Sequence, residues 1–253
     1  MTRLSSSYSS SLDSKKHNRN SFCGRWSLRG HIQESEQKHW RYGRLGCKRW
    51  TCPRCGPKKA KRLRRAIIGT AQEKDLSRVL TLTLDPSVCS PEQSIPYIRQ
   101  CWNKFRTSLR RHSGLHIAFI TILELQQSGY AHLHILVDRY IAQDWISMAW
   151  QAVGGGRIVD IRRVDIHRIA PYLSKYLTKD LLLTDFKTRV RRYTTSRDIR
   201  LFVKSNIGTW GIIKLSIELL YQECRGLLPG TTHDAEGRLE GFQLSAETSR
   251  PPI

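Results

Sequence analysis

Two short stretches hold side chains whose types and spacing suit joint chemistry. Within Gly129–Asp138, His132 and His134 stand one residue apart in an apolar run; within Pro171–Lys179, Tyr172 and Tyr176 stand four apart, followed three residues on by Lys175 and Lys179. Side chains of a strand alternate faces, so the two imidazoles project together while Leu133, Ile135 and Val137 project the other way. Two imidazoles on one face can ligate one cation. A short turn at Gln127-Ser128-Gly129 brings the Glu124 carboxylate beside His132, and Gln126 is the nearest substitute. Two nitrogens and a carboxylate with open positions suit Mg²⁺ or Mn²⁺ that also contacts phosphate oxygens. Positions four apart on a helix lie almost in line, so the tyrosines share a face, while Ile169, Leu173 and Leu177 form a separate apolar stripe. A phenol, with a pKa of about 10, acts as a nucleophile at neutral pH only beside positive charge or a base. Lys175, Lys179 and the cation supply the charge. The expected reaction is tyrosine attack on a DNA phosphodiester, giving a 5′-phosphotyrosyl adduct and a free 3′-hydroxyl. Taken singly, each stretch also has a plainer reading, as a hydrogen-bonded strand face and as half-buried helix packing.

The elements that must position these groups are legible in the hydrophobic pattern. Val79–Leu84 alternates and ends at Asp85-Pro86, which predicts a strand and a turn. Ile98, Trp102, Phe105 and Leu109 fall at helical spacing within 94–112, stopped by Ser113-Gly114. Strands follow at 116–125 and 130–138, joined as a hairpin, then a helix at 142–153, a connector at Gly154-Gly155-Gly156 and a strand at 157–164. The order β-α-β-β-α-β predicts an α+β fold of the ferredoxin-like (RRM-like) kind, an antiparallel sheet with helices packed on one face. The tyrosine helix comes next.

The chain has 253 residues and a formal charge of +22, with 43 Lys+Arg against 21 Asp+Glu. A polyanion, nucleic acid first, is the expected partner. No apolar run approaches the roughly 18 residues of a membrane span, and the N-terminus lacks a secretory apolar region, so no membrane partner and a cytoplasmic location are expected. Four of the seven cysteines, Cys23, Cys47, Cys52 and Cys55, fall early. Their spacing predicts a tetrahedral structural Zn²⁺ site with Cys52-Pro53-Arg54-Cys55-Gly56 as the knuckle, and His31 or His39 as an alternative to Cys23. Around and after it, Arg49, Arg54, Lys58, Lys59, Lys61 and Arg62 are expected to grip phosphates, as are Arg191 and Arg192 beyond the tyrosines. The domains expected are a disordered basic tail (1–20), a zinc-binding, DNA-gripping module (21–68), the catalytic core (76–186), a basic extension (187–224) and a flexible tail (225–253).

His132-Leu133-His134 resembles the histidine–hydrophobic–histidine motif of the HUH endonucleases, and Tyr172–Lys179 is similar to the two-tyrosine motif of rolling-circle replication initiators in that superfamily, such as filamentous-phage gene II and small isometric phage gene A proteins. Leu80–Leu84 resembles their first motif, a central strand. The resemblance implies metal-dependent nicking and joining of single-stranded or supercoiled origin DNA in the bacterial host of a phage or plasmid. His132 and His134 become metal ligands, Glu124 the variable third, and Tyr172 and Tyr176 candidate nucleophiles. The sequence has no Walker A pattern, so a host helicase or supercoiling is expected to open the strands for a host DNA polymerase. An HUH transposase or relaxase shares this chemistry. A non-catalytic zinc-dependent DNA-binding regulator explains the charge and cysteines alone.

Overall fold

A computed structural model describes residues 23–34, 37–165, 190–202, 210–227, 229–234 and 236–245. The chain divides into two compact units, one of residues 49–203 and one of 1–48 with 204–253.

The unit of residues 49–203 contains α1 (Cys55–Glu73), β3 (Arg78–Thr83), α2 (Ser94–Ser113), β4 (Phe119–Leu125), β5 (Ala131–Val137), α3 (Gln143–Ala152), β6 (Val159–Arg163) and β7 (Tyr193–Thr195). The sheet runs β6-β3-β5-β4-β7, every neighbouring pair antiparallel. Ile98, Trp102, Phe105 and Leu109 of α2 and Ile146 and Trp150 of α3 pack with Leu80, Leu82, Leu133, Ile135 and Ile161 on one face. Gly114, with φ of 64°, ends α2 as a left-handed cap.

The expectation of helices on one face needs correction. Leu63, Ile67 and Ala71 of α1 pack on the opposite face, against Val79, Ile120, Ile122 and Leu136. Gly56, Ala60, Leu63, Ile67 and Ala71 form its buried stripe at three- and four-residue steps. Both faces of the central strands are thus covered, and all seven residues of β5 are buried. The helix expected to close a separate module at residue 68 therefore runs to Glu73 as part of this core. Residues 193–195, expected in an extension beyond residue 186, add β7 to its edge beside β4.

Gly154-Gly155-Gly156 is not a flexible connector. A Cβ on Gly155 would lie 2.1–2.4 Å from the Trp150 indole, and one on Gly156 would lie 2.8 Å from Asp85 N. The glycines let the chain pass under a fully buried indole whose Nε1 donates to Thr83 O at 2.7 Å.

The other unit contains β1 (Ser27–Glu34), β2 (Gln37–Arg44), β8 (Trp210–Ile213), α4 (Ile217–Cys224), β9 (Gly230–His233) and β10 (Leu239–Ser245), its sheet running β8-β1-β2-β10-β9. Ile217, Leu220 and Cys224 of α4 pack on Tyr42, Phe242 and Leu244. The flexible tail expected at 225–253 is corrected here as well. Through residue 245 it supplies two strands, because Phe242 and Leu244 alternate onto the α4 face and β10 pairs with β2.

Candidate active site

β5 holds the two histidines between β3 and β4, and register places their partners. Thr83 and Thr81 lie opposite His132 and His134 on β3; Glu124 and Ile122 lie opposite them on β4. Cross-strand neighbours share a face, so both imidazoles, both threonines and Glu124 look the same way. His132 and His134 are only 7% and 5% exposed.

Thr81 Oγ1 lies 3.3 Å from His134 Nδ1, and Glu124 Oε2 lies 2.5 Å from His134 Nε2. Gln126 Nε2 is 3.2 Å and Thr83 Oγ1 3.5 Å from His132 Nδ1. Burial first, and then neighbouring His134, lower the His132 pKa below the ordinary imidazole value, while Glu124 pulls the other way. His132 is therefore neutral at neutral pH, the form that ligates a metal.

The donor set fits a hard divalent cation. With Nδ1 turned to a hydroxyl or amide oxygen, each ring can offer Nε2, the arrangement in which a second partner fixes tautomer and orientation. For His132 this requires Nδ1–H to donate to Thr83 Oγ1 or to the Gln126 oxygen with that amide turned over. For His134 a cation would take the place of the proton shared with Glu124. The threonines were not singled out in the sequence. Their signal is the alternation of Leu80-Thr81-Leu82-Thr83-Leu84, which puts two hydroxyls on the face opposite the leucines.

The cysteine expectation has a direct counterpart. The sulfurs of Cys23, Cys47, Cys52 and Cys55 lie within 4.8 Å of one another, spacing that admits a metal ion. None of the four is in a disulfide. Cys23 Sγ accepts from Cys47 N at 3.5 Å and Cys52 Sγ from Cys55 N at 3.4 Å. Lys48, at φ of 55°, makes the tight turn after Cys47. Among the described residues no other group of three or more His, Cys, Asp or Glu reaches this closeness. The histidines and Glu124 therefore need side-chain rotation to close on one ion.

The expected phosphate-gripping residues fall in different surroundings. Arg49, Lys58, Lys61, Arg62 and Arg191 are exposed, Arg54 is half-buried, and Arg62 lies over the Phe202 ring at 4.7 Å. Trp50, partly buried, has Lys59 Nζ 4.3 Å and the Arg192 guanidinium 5.4 Å from its ring. Arg192 is buried, 5% exposed. Burial, and next the Arg192 charge, push the Lys59 ammonium below its usual pKa, with Cys55 acting oppositely. Tyr172, Lys175, Tyr176 and Lys179 lie outside the described residues.

A histidine pair on the central strand of an antiparallel sheet, with a carboxylate on the next strand, marks this core as that of an HUH-type rolling-circle replication protein. Residues 77–181 match the family model of replication-associated proteins of the ORF2 and gene II protein type, and over that stretch the chain belongs to this family. A search of curated proteins returns no match. Among solved structures, the N-terminal nuclease domain of minute virus of mice non-structural protein-1 aligns over 95% of this chain and 92% of that chain, at 12% identity and a TM-score of 0.21. So slight a likeness carries no structural inference. No helix among the described residues is long and apolar enough to cross a membrane.

Proposed function

We propose that this protein initiates rolling-circle replication by nicking and rejoining single-stranded origin DNA through a tyrosine nucleophile and a divalent cation. The observation that carries the reading is the shared face of His132, His134 and Glu124, inside the stretch that matches the replication family. Strand order β6-β3-β5-β4 with its two crossing helices corresponds to a ferredoxin-like core, to which β7 and α1 are additions.

His132, His134 and Glu124 would hold Mg²⁺ or Mn²⁺, which when bound polarises a non-bridging phosphate oxygen. Tyr172 or Tyr176 attacks phosphorus through its phenolate oxygen. The new bond joins tyrosine oxygen to phosphorus, the bond from phosphorus to the 3′-oxygen breaks, and that oxygen takes a proton from water. Lys175 and Lys179 lower the cost of the phenolate. Because the phosphotyrosyl ester keeps the bond energy, a 3′-hydroxyl can reverse the step without ATP, and the second tyrosine permits a second transfer.

Lys58, Lys61 and Arg62, on the outer side of α1, face solvent and suit the DNA backbone, with Arg49, Arg54 and Arg191 adding charge. Lys59 and Arg192 act closer in, around Trp50. The cysteine quartet suits structural Zn²⁺. A host helicase and DNA polymerase would extend the freed 3′-hydroxyl, in the cytoplasm of a bacterium carrying the phage or plasmid. Incubation of the protein with labelled single-stranded origin DNA and Mn²⁺ should yield a covalent adduct resistant to denaturation. Tyr172→Phe with Tyr176→Phe should abolish it. A wild-type chain that binds DNA but forms no adduct with any divalent metal would sink the enzyme reading in favour of a non-catalytic regulator.

A further inference from the structure

The unit containing β1 and β2 turns one sheet face to α4. On the other face, strand register lays out two adjacent rows. Trp210, Gly30, Arg41, Gln243 and Gly230 follow one another across β8, β1, β2, β10 and β9, and beside them run Ile212, Leu28, Gly43, Gly241 and Thr232. A cavity of about 520 Å³ opens on this face, with Arg41, Gly43, Trp210, Thr232, Gly241 and Gln243 in its lining.

The floor of this cavity is bare backbone. Gly43 and Gly241 are direct cross-strand partners. A Cβ on Gly241 would come 2.5 Å from Tyr42 O, so only glycine fits there, whereas one on Gly43 meets nothing within 4 Å. Open space therefore stands above Gly43. At the side, Trp210 lies flat over Gly30, where a Cβ would be 2.7–2.8 Å from three ring carbons. The indole remains 45% exposed.

We propose that this face is a binding slot for single-stranded DNA, separate from the histidine strand and outside the 77–181 stretch. One unpaired base lies over the Gly43–Gly241 floor and stacks against Trp210, and Arg41, Gln243 and Thr232 meet its edge or the adjoining phosphate. A floor without side chains admits a flat ring, and an aromatic wall holds any base by its π-face. The lining carries amide and guanidinium donors, which suits a base edge or phosphate better than an apolar helix. With a formal charge of +22, the chain attracts a polyanion. The proposal rests on the reading that this protein acts on single-stranded DNA.

The test uses the full chain and a fluorescein-labelled oligothymidine about 20 nucleotides long, long enough to span a typical single-strand site. Anisotropy titrations are run at several salt concentrations. Gly43→Val fills the open space without striking the protein, and Trp210→Ala removes the wall. A lost base stack is worth about 1–3 kcal/mol, so each variant should bind roughly 5- to 100-fold more weakly. The dependence on salt should stay unchanged, since neither change removes a cation. Gly211→Val serves as the control: its Cβ also meets nothing within 4 Å, but Gly211 pairs with Arg29 on the other face, and binding should match wild type. Wild-type affinity in both Gly43→Val and Trp210→Ala overturns the slot, as does a Gly43→Val protein that changes oligomeric state in sedimentation without losing DNA affinity. The nicking reading fails separately. A wild-type chain that binds but never forms an adduct, with Gly43→Val weakened, upholds the slot and overturns nicking.

Discussion

Gly155→Ala is a one-carbon change with a large expected cost. The new Cβ would sit 2.1–2.4 Å from Trp150 ring atoms, more than 1 Å inside ordinary contact. Trp150 cannot yield easily, because it is fully buried, meets Phe105 edge-on at 5.7 Å and is pinned by Nε1 to Thr83 O at 2.7 Å. Overpacking costs about 1–3 kcal/mol and the strained indole hydrogen bond about 1 kcal/mol, for a destabilisation of roughly 3 kcal/mol. Urea unfolding followed by far-UV dichroism measures it as a lower midpoint with an unchanged slope. Trp150→Phe, itself destabilising, should make room, so the double variant should lose less than the two single losses added together. Thr83 also neighbours His132, so Gly155→Ala should weaken Mn²⁺ binding too. A loss below about 0.5 kcal/mol, the level of an ordinary surface substitution, would refute the packing account and restore the glycines as a connector.

Thr81→Val with Thr83→Val keeps side-chain shape and removes both hydroxyls beside the imidazole Nδ1 atoms, so Mn²⁺ affinity by titration calorimetry should fall about 10- to 100-fold while the fold persists in dichroism. Cys52→Ser should lower zinc content, measured by chelator colour release after denaturation, and drop the melting temperature by on the order of 10 °C. Tyr42 is 1% exposed and its hydroxyl has no hydrogen-bond partner among the described residues, so Tyr42→Phe should stabilise the protein by about 1 kcal/mol in urea titrations. Burial first, and then Cys224, push the Tyr42 pKa up to about 12, with Arg29 acting oppositely. A phenol whose folded pKa exceeds its unfolded value near 10 contributes stability that is whole below pH ~10 and lost as pH rises toward the folded pKa. Tyr42→Phe should therefore be less sensitive to pH in that alkaline window.

Local pattern alone determined much of this protein. Alternation put His132 and His134 on one face and Leu133, Ile135 and Val137 on the other; helical spacing in 94–112 and the stop at Gly114 placed α2; and the short turn at 127–129 brought Glu124 into line with the histidines. These features repeat within a few residues, so a linear reading finds them. The cysteines are likewise legible, because a metal-ligand spacing is a chemical pattern. Other features depend on distant partners. The basic helix α1 reads as a solvated attachment until its stripe at Ala60, Leu63, Ile67 and Ala71 meets the second face of the sheet. Residues 239–245 read as tail until β10 finds β2, nearly two hundred residues earlier in the chain. Gly155 reads as slack until an indole lies over it, and Glu124 was expected beside His132 where its carboxylate bonds His134. In each case the deciding contact is non-local. A strand's edge or a helix's second face carries no signature of its partner, and only the folded chain brings the two together.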